Sequence, residues 1–96
     1  MNDYVLFMHD DANVGDDAAW DAYFTKLKAS GSFLGGSRVG TGACFSKAGS
    51  MKHITSEIVG FIRVRAKSLE AAKQFLDGNP VYEAGGTVEI RELPKD

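Results

Sequence analysis

The sequence predicts a small α+β domain whose strands and helices follow one another in the order β-α-β-β-α-β. Segments 4–9 and 57–66 carry this prediction, because they are short, rich in β-branched and aromatic residues, and apolar on both sides. Each is followed by a stretch in which apolar residues recur every three or four positions until a glycine ends it. Because 96 residues leave room for one core, we expect a single domain over residues 1–96.

The first strand covers 4–9, and the first helix follows it. Asp16 and Asp17 provide an N-cap and negative charge where the helix dipole favours it. Four apolar residues then occupy positions i, i+3, i+4 and i+7, which places them on one buried stripe: Trp20, Tyr23, Phe24 and Leu27. Gly31 is placed to end the helix in the left-handed conformation.

The segment from residue 33 to residue 55 is less regular. A strand begins at Phe33, but four glycines interrupt it, which is typical of bulges and of close backbone approach. We expect residues 43–45 to continue this strand, residues 47–50 to form a hairpin turn, and residues 51–55 to form the return arm.

The strand over 57–66 leads into a second helix. Ser68 is its predicted N-cap and Gly78 its predicted end, and four apolar residues form the predicted buried stripe: Leu69, Ala72, Phe75 and Leu76. Pro80 prevents continuation, and residues 81–84 are expected to form a brief helical turn. Residues 87–93 alternate as a strand with one wet face does.

This order of elements is that of the ferredoxin-like fold, in which an antiparallel sheet carries both helices on one face. The segments 4–9 and 57–66 would then be the central strands. Since the helices cover only one side of them, the apolar residues on the other side, such as Val59 and Phe61, would face water. A second copy packed sheet against sheet removes this cost, so we expect a homodimer.

Composition and charge exclude several classes of function. The net charge of −2 and the pI of about 5.6 give no sign of a nucleic-acid-binding surface. No apolar run approaches the length of a membrane span, and the N-terminus lacks a basic signal-peptide region. The lone Cys44 cannot form an internal disulfide. We therefore expect a cytoplasmic protein that binds neither nucleic acid nor membrane.

The chain resembles the YCII-related family, and within it the branch of DGPF-domain proteins. The resemblance runs nearly end to end and rests on the following segments: 4–8, 20–27, 30–31, 57–61, 68–72 and 88–93. It implies a dimeric α+β barrel, in a superfamily that includes monooxygenases, lyases, isomerases and binding proteins. Two features of the family are missing. The Asp-Gly-Pro-Phe motif is replaced near residues 52–56, and helix 1 has no histidine to supply the family's proposed His and Asp pair.

The two histidines are the candidate catalytic residues. His9 ends a central strand beside Asp10 and Asp11, and a histidine near carboxylates can act as a general base at neutral pH. The alternative is a strand-end ring that only packs. His53 lies in the segment that replaces the family motif, where it is either a ligand-binding residue or an idle surface side chain.

Three further residues are candidates for substrate binding. Trp20 and Tyr23 would form the wall of a pocket between helix and sheet, although a purely structural role in the core is the alternative. Arg38 can offer its fork of donors to a carboxylate on a small ligand. Two histidines and one cysteine form no recognised metal-ligand spacing, and the glycine-rich segment lacks the phosphate-loop pattern, so we expect neither a metal nor a cofactor.

Two functional hypotheses follow. In the first, the protein is a cofactor-free enzyme that acts on small cyclic organic molecules, with His9 or His53 as acid and base. In the second, it is a non-catalytic dimeric protein that binds a small molecule or has an accessory or regulatory role.

Overall fold

The computed structural model describes residues 1–15, 17–47, 49, 54–55 and 57–95. The predicted order of elements is confirmed, including a short helix at the predicted turn before the last strand. The elements are β1 (Asn2–His9), α1 (Asp17–Ala29), β2 (Phe33–Arg38), β3 (Ile58–Ala66), α2 (Leu69–Ala72), α3 (Pro80–Glu83) and β4 (Val88–Leu93).

The four strands form one antiparallel sheet in the order β2-β3-β1-β4, as the ferredoxin-like prediction requires. Leu6 of β1 lies opposite Ile62 of β3 and Ile90 of β4, which sets the register across the sheet. The two segments predicted as central strands therefore do occupy the centre.

The core lies between one face of this sheet and the helices. Its buried strand residues alternate along β1 and β3, and α1 contributes Tyr23 and Leu27: the strand members are Tyr4, Leu6, Met8, Ile62, Val64 and Ala66. Trp20 and Phe24, the other members of the predicted stripe, are only half-buried. The N-terminal half of α1 thus stands away from the sheet more than its C-terminal half, and Gly31 ends the helix at φ +76° as predicted.

The second helical segment differs from the prediction. Ser68 does cap it, accepting a hydrogen bond from the Ala71 amide, but α2 lasts one turn and a 3₁₀ turn over Lys73–Leu76 follows. In so short a helix the buried residues are Ala72 and Phe75, and Leu69 is 52% exposed, so its assignment to the buried stripe is wrong. The predicted brief turn near 81–84 is α3, which Asn79 caps.

The strand after α1 is shorter than predicted. β2 ends at Arg38, and residues 43–45 do not continue it. Most of the predicted turn and return arm lies outside the described residues, and residues 54–55 are not in a strand. Within β2, a Cβ on Gly36 would overlap the carbonyl oxygen of Phe61 in the neighbouring strand β3, which explains why this position is glycine.

The other face of the sheet carries no helix. Phe7 and Phe61 lie directly across from each other at its centre, and Val59 is 36% exposed. Val5 is nonetheless buried, because its cross-strand neighbours are Arg63 and Arg91, whose aliphatic stems can cover it. The central strands are therefore apolar on both sides, as predicted, and the homodimer that this suggests stays a prediction.

Among the described residues, no helix has the length and apolar character needed to cross a membrane.

Candidate functional site

A groove of about 840 Å³ opens beside α1 at the end of the sheet, and it reaches residues of both sheet faces, with Val59 and Phe61 from the helix-free face among its lining. It lies where β1 and β2 end and where β3 and α1 begin, so residues distant in sequence meet there. This position follows from the half-burial of the first turns of α1, which leave space above the strands instead of filling it.

One wall of the groove is aromatic. Trp20 and Phe24 stack with their ring centroids 5.7 Å apart and their planes 24° apart, and Phe33 meets Phe24 edge to face at 5.8 Å. The wall thus offers flat apolar surface, with the indole N–H of Trp20 as a possible donor.

The floor of the groove is formed by the central strands, with Met8, Gly60 and Ile62 among the lining residues. A Cβ on Gly60 would stand 3.1 Å from the terminal methyl of Met8 and 3.4 Å from the carbonyl oxygen of Ser37. Glycine therefore lets Met8 and the neighbouring strand pack closely here, and a side chain at this position would press on the Met8 methyl at the floor.

Charged groups surround this apolar interior. Asp17 and Asp21 from α1, Asp10 after β1, and the cations Lys28 and Arg38 all line the groove. Arg38 is exposed and forms no ion pair with any residue that the structure describes. Its guanidinium is available to a carboxylate or oxyanion on a ligand.

His9 also lines the groove, and its ring is bound by a residue that does not line the groove. Its Nε2 lies 3.3 Å from Oε1 of Glu89, a residue of β4. The other carboxylate oxygen of Glu89, Oε2, accepts a hydrogen bond from Nη1 of Arg91 at 3.0 Å. These bonds from Arg91 and His9 lower the pKa of Glu89, so its carboxylate is ionised at neutral pH.

Asp11 does not serve His9 in the way that the sequence suggested. Its Oδ1 accepts a hydrogen bond from the Thr87 amide at 2.8 Å, and its Oδ2 accepts one from the Thr87 hydroxyl. These two bonds lower the pKa of Asp11. The carboxylate therefore ties the loop after β1 to the start of β4, and its effect on His9 is through space only.

The structure brings three of the predicted site residues together. His9, Trp20 and Arg38 all line the groove, although they come from different elements. Tyr23 is not among the lining residues: it is buried, its hydroxyl donates a 2.6 Å hydrogen bond to the Phe75 carbonyl oxygen, and burial raises its pKa. His53 lies outside the described residues.

Sequence reasoning missed Glu89 and Gly60. Glu89 is one of several charged residues in an alternating strand, and only the register of β4 on β1 brings it beside His9. Gly60 interrupts an apolar strand, which is a signal for close approach that could have been used. The described part of the chain holds no cluster of three or more His, Cys, Asp or Glu side chains that could bind a metal ion.

Comparison with known proteins gives a family and a fold. The family model of the YCII-related domain matches residues 3–94. Among solved structures, the chain is similar to 5-chloro-2-hydroxyhydroquinone dehydrochlorinase (TftG) from Burkholderia phenoliruptrix AC1100 in complex with 2,5-dihydroxybenzoquinone. The TM-score is 0.61 at 16% sequence identity, over 98% of this chain and 95% of that one. No curated protein matches the chain significantly. With nearly its whole length covered by the family model, the chain belongs to the YCII-related family.

Proposed function

We propose that the groove binds a small cyclic organic molecule and that His9 exchanges a proton with it, without the help of a cofactor. The observation that carries this proposal is the convergence of His9, Trp20 and Arg38 on one groove with an apolar interior. A general base, an apolar wall and an anion-binding cation are the groups that such chemistry needs.

The shape of the groove favours a flat ligand. The stacked Trp20 and Phe24 offer a planar surface, and Gly60 keeps the opposite floor free of a side chain. The groove has the volume of an ordinary small-molecule site, roughly 300–1,000 Å³. The dehydrochlorinase of similar fold is described with a planar ring bound, and by analogy we extend that ligand class to this chain.

The polar groups suggest what the ring carries. Arg38 would pair with a carboxylate or with the oxygen of an ionised hydroxyl, and the carboxylates Asp17 and Asp21 would accept hydrogen bonds from neutral hydroxyls. A hydroxylated aromatic or quinonoid molecule meets both requirements, whereas a purely apolar ring would leave the charged groups without partners.

The second candidate function is binding without catalysis. It is supported by the lack of a histidine in helix 1, where other members of the family are proposed to have one. In this case the groove would hold the same class of molecule, and His9 would contribute a hydrogen bond but no proton transfer.

We also propose that the functional form is a homodimer, packed through the face of the sheet that carries no helix. Phe7, Phe61 and Val59 lie on that face, and covering each large apolar side chain is worth roughly 1.5–3 kcal/mol. Charged residues surround this centre and would form the rim of such an interface.

The test is a thermal-shift screen with hydroxylated benzoquinones, phenols and aromatic acids. A ligand at 100 times its dissociation constant adds about 2.7 kcal/mol to the stability of the protein. Replacing Arg38 by Gln should abolish the shift, whereas Lys26→Gln, which removes a cation from α1 outside the groove, should leave it intact. Loss of the shift in both variants, or in neither, would contradict the proposed site.

Ligands from this screen then separate the two functions. If His9 transfers a proton, His9→Gln retains binding and loses turnover by roughly 10²–10⁴-fold. If the groove only binds, the wild-type protein leaves every bound compound unchanged.

A further inference from the structure

We infer that Glu89 is a positioning residue, which holds the His9 ring in one tautomer and leaves Nδ1 as its basic nitrogen. The inference deepens the proposed function and rests on it for its role in catalysis. The geometry of the pair itself stands independently of any ligand.

The backbone places the two residues side by side. The amide of His9 donates to the Thr87 carbonyl oxygen at 3.0 Å, and Glu89 lies directly across from Phe7. Glu89 is therefore the diagonal cross-strand neighbour of His9, within reach of a long side chain. The resulting contact joins Nε2 and Oε1 over 3.3 Å, and the His9 side chain is only 19% exposed.

Glu89 is held in place by a second bond. Arg91 is two residues further along β4, so both side chains emerge on the same face. Its Nη1 donates to Oε2 at 3.0 Å, which leaves Oε1 directed at the imidazole. Arg91 thus orients the carboxylate, and the carboxylate orients the ring.

The chemistry of the carboxylate sets the tautomer. An ionised carboxylate accepts hydrogen bonds and cannot donate them, so the proton between the two groups belongs to Nε2. A neutral imidazole carries one proton, and its lone pair is then on Nδ1. No described residue forms a hydrogen bond with Nδ1, and His9 lines the groove, so we assign Nδ1 as the nitrogen that meets a bound molecule.

The proton transfer balances without another reactant. A C–H or O–H bond of the ligand breaks, its electron pair stays on the ligand, and the lone pair of Nδ1 forms the new N–H bond. The imidazolium that results is stabilised by the negative charge of Glu89. Return of the proton to another atom of the ligand completes an isomerisation and restores the neutral ring. In an elimination the electron pair left on the ligand instead expels a leaving group, which carries the proton away from the imidazolium.

Other charged groups lie in the loop after β1 or share the groove with His9. From the loop after β1 comes Asp11, whose two oxygens are both engaged by Thr87. From α1 come Asp17 and Asp21, and from β2 comes Arg38, all lining the same groove. Among the described residues, Glu89 is the carboxylate that forms a hydrogen bond with the His9 ring.

The experiment is ¹⁵N NMR of histidine-labelled protein at a pH of about 9, well above the ordinary pKa of histidine of about 6.5. Comparison with His9→Gln identifies the signals of His9 among the two histidines of the chain. We expect one tautomer in the wild-type protein, with the proton on Nε2. In Glu89→Gln the side-chain amide can donate as well as accept, so the second tautomer becomes populated.

Two control variants make the result specific. Glu92→Gln removes a carboxylate from the same strand, from a residue that lies opposite Tyr4, and should leave the His9 signals unchanged. Arg91→Gln releases one oxygen of Glu89 but retains the acceptor, so the single tautomer should persist. A proton on Nδ1 in the wild-type protein, or an unchanged tautomer in Glu89→Gln, would overturn the inference.

This outcome is independent of the proposed function, because the spectrum is recorded without a ligand. If the ligand screen finds no binder but the NMR spectra show the expected tautomers, the proposed function is refuted and the positioning role of Glu89 stands. Where a substrate is found, Glu89→Gln should lower kcat by tenfold or more and change KM little. The two control variants, Glu92→Gln and Arg91→Gln, should keep a kcat close to that of the wild-type protein.

Discussion

Replacing Tyr23 by Phe removes a single oxygen atom from the core and tests whether this residue is structural. The Tyr23 hydroxyl donates to the Phe75 carbonyl oxygen at 2.6 Å, and the residue is 4% exposed. Phenylalanine retains the ring and its packing, so the change isolates the hydrogen bond. The carbonyl left behind is buried without this donor, which costs about 1–3 kcal/mol.

For a domain of this size, each kcal/mol shifts the Tm by roughly 4–8 °C. We therefore expect Tyr23→Phe to lower the Tm by at least about 4 °C in differential scanning calorimetry. Affinity for a groove ligand should stay unchanged, because Tyr23 does not line the groove.

The matched control is Tyr82→Phe, which removes the same atom from a side chain that is 47% exposed. Exposed substitutions of this kind change stability by no more than about 0.5 kcal/mol. Equal stability of Tyr23→Phe and the wild-type protein, or loss of ligand affinity without loss of stability, would refute the structural reading.

Three further predictions concern other parts of the molecule. The hydrogen bonds from Thr87 lower the pKa of Asp11 in the folded state. The stability that they contribute is therefore present above the unfolded-state pKa of about 3.9 and is lost as pH falls through the lower folded value. Asp11→Asn should weaken this loss of stability at acid pH in urea titrations, and an unchanged loss would contradict the prediction. Phe7→Lys should convert a dimer to a monomer in light scattering, whereas Leu69→Lys on an exposed helix should not; a Phe7→Lys dimer would argue against the interface. Gly60→Val should push the Met8 side chain at the floor of the groove and reduce affinity for planar ligands at least tenfold in titration calorimetry, and unchanged affinity would place the ligand elsewhere.

The fold was predictable because its strongest signals are local. The segments that become β1 and β3 are apolar on both sides, which is typical of central strands, and Gly31 and Ser68 mark helix ends by their own chemistry. Leu69 was assigned wrongly because apolar periodicity presumes a helix of several turns. One turn of α2 is too short to present four residues to the sheet.

The candidate site was predictable only in part. His9, Trp20 and Arg38 could be named from residue type and position, but their common groove depends on how α1 stands above the strands. Glu89 could not be identified, since its contact with His9 spans 80 residues of sequence and depends on the register of two strands. The chemistry of a residue can be judged from its type, whereas its partners depend on the tertiary structure.

The most direct test of the account is an NMR titration of ¹⁵N-labelled protein with 2,5-dihydroxybenzoquinone, the molecule described with the dehydrochlorinase of similar fold. We predict that shift changes concentrate on the groove, with the largest at Trp20, Arg38 and Gly60. Residues of the helix-free face that lie outside the groove, such as Val5, should change little. Shifts centred on residues outside the groove, or a spectrum that does not respond to the compound, would contradict the assignment of the groove as the functional site.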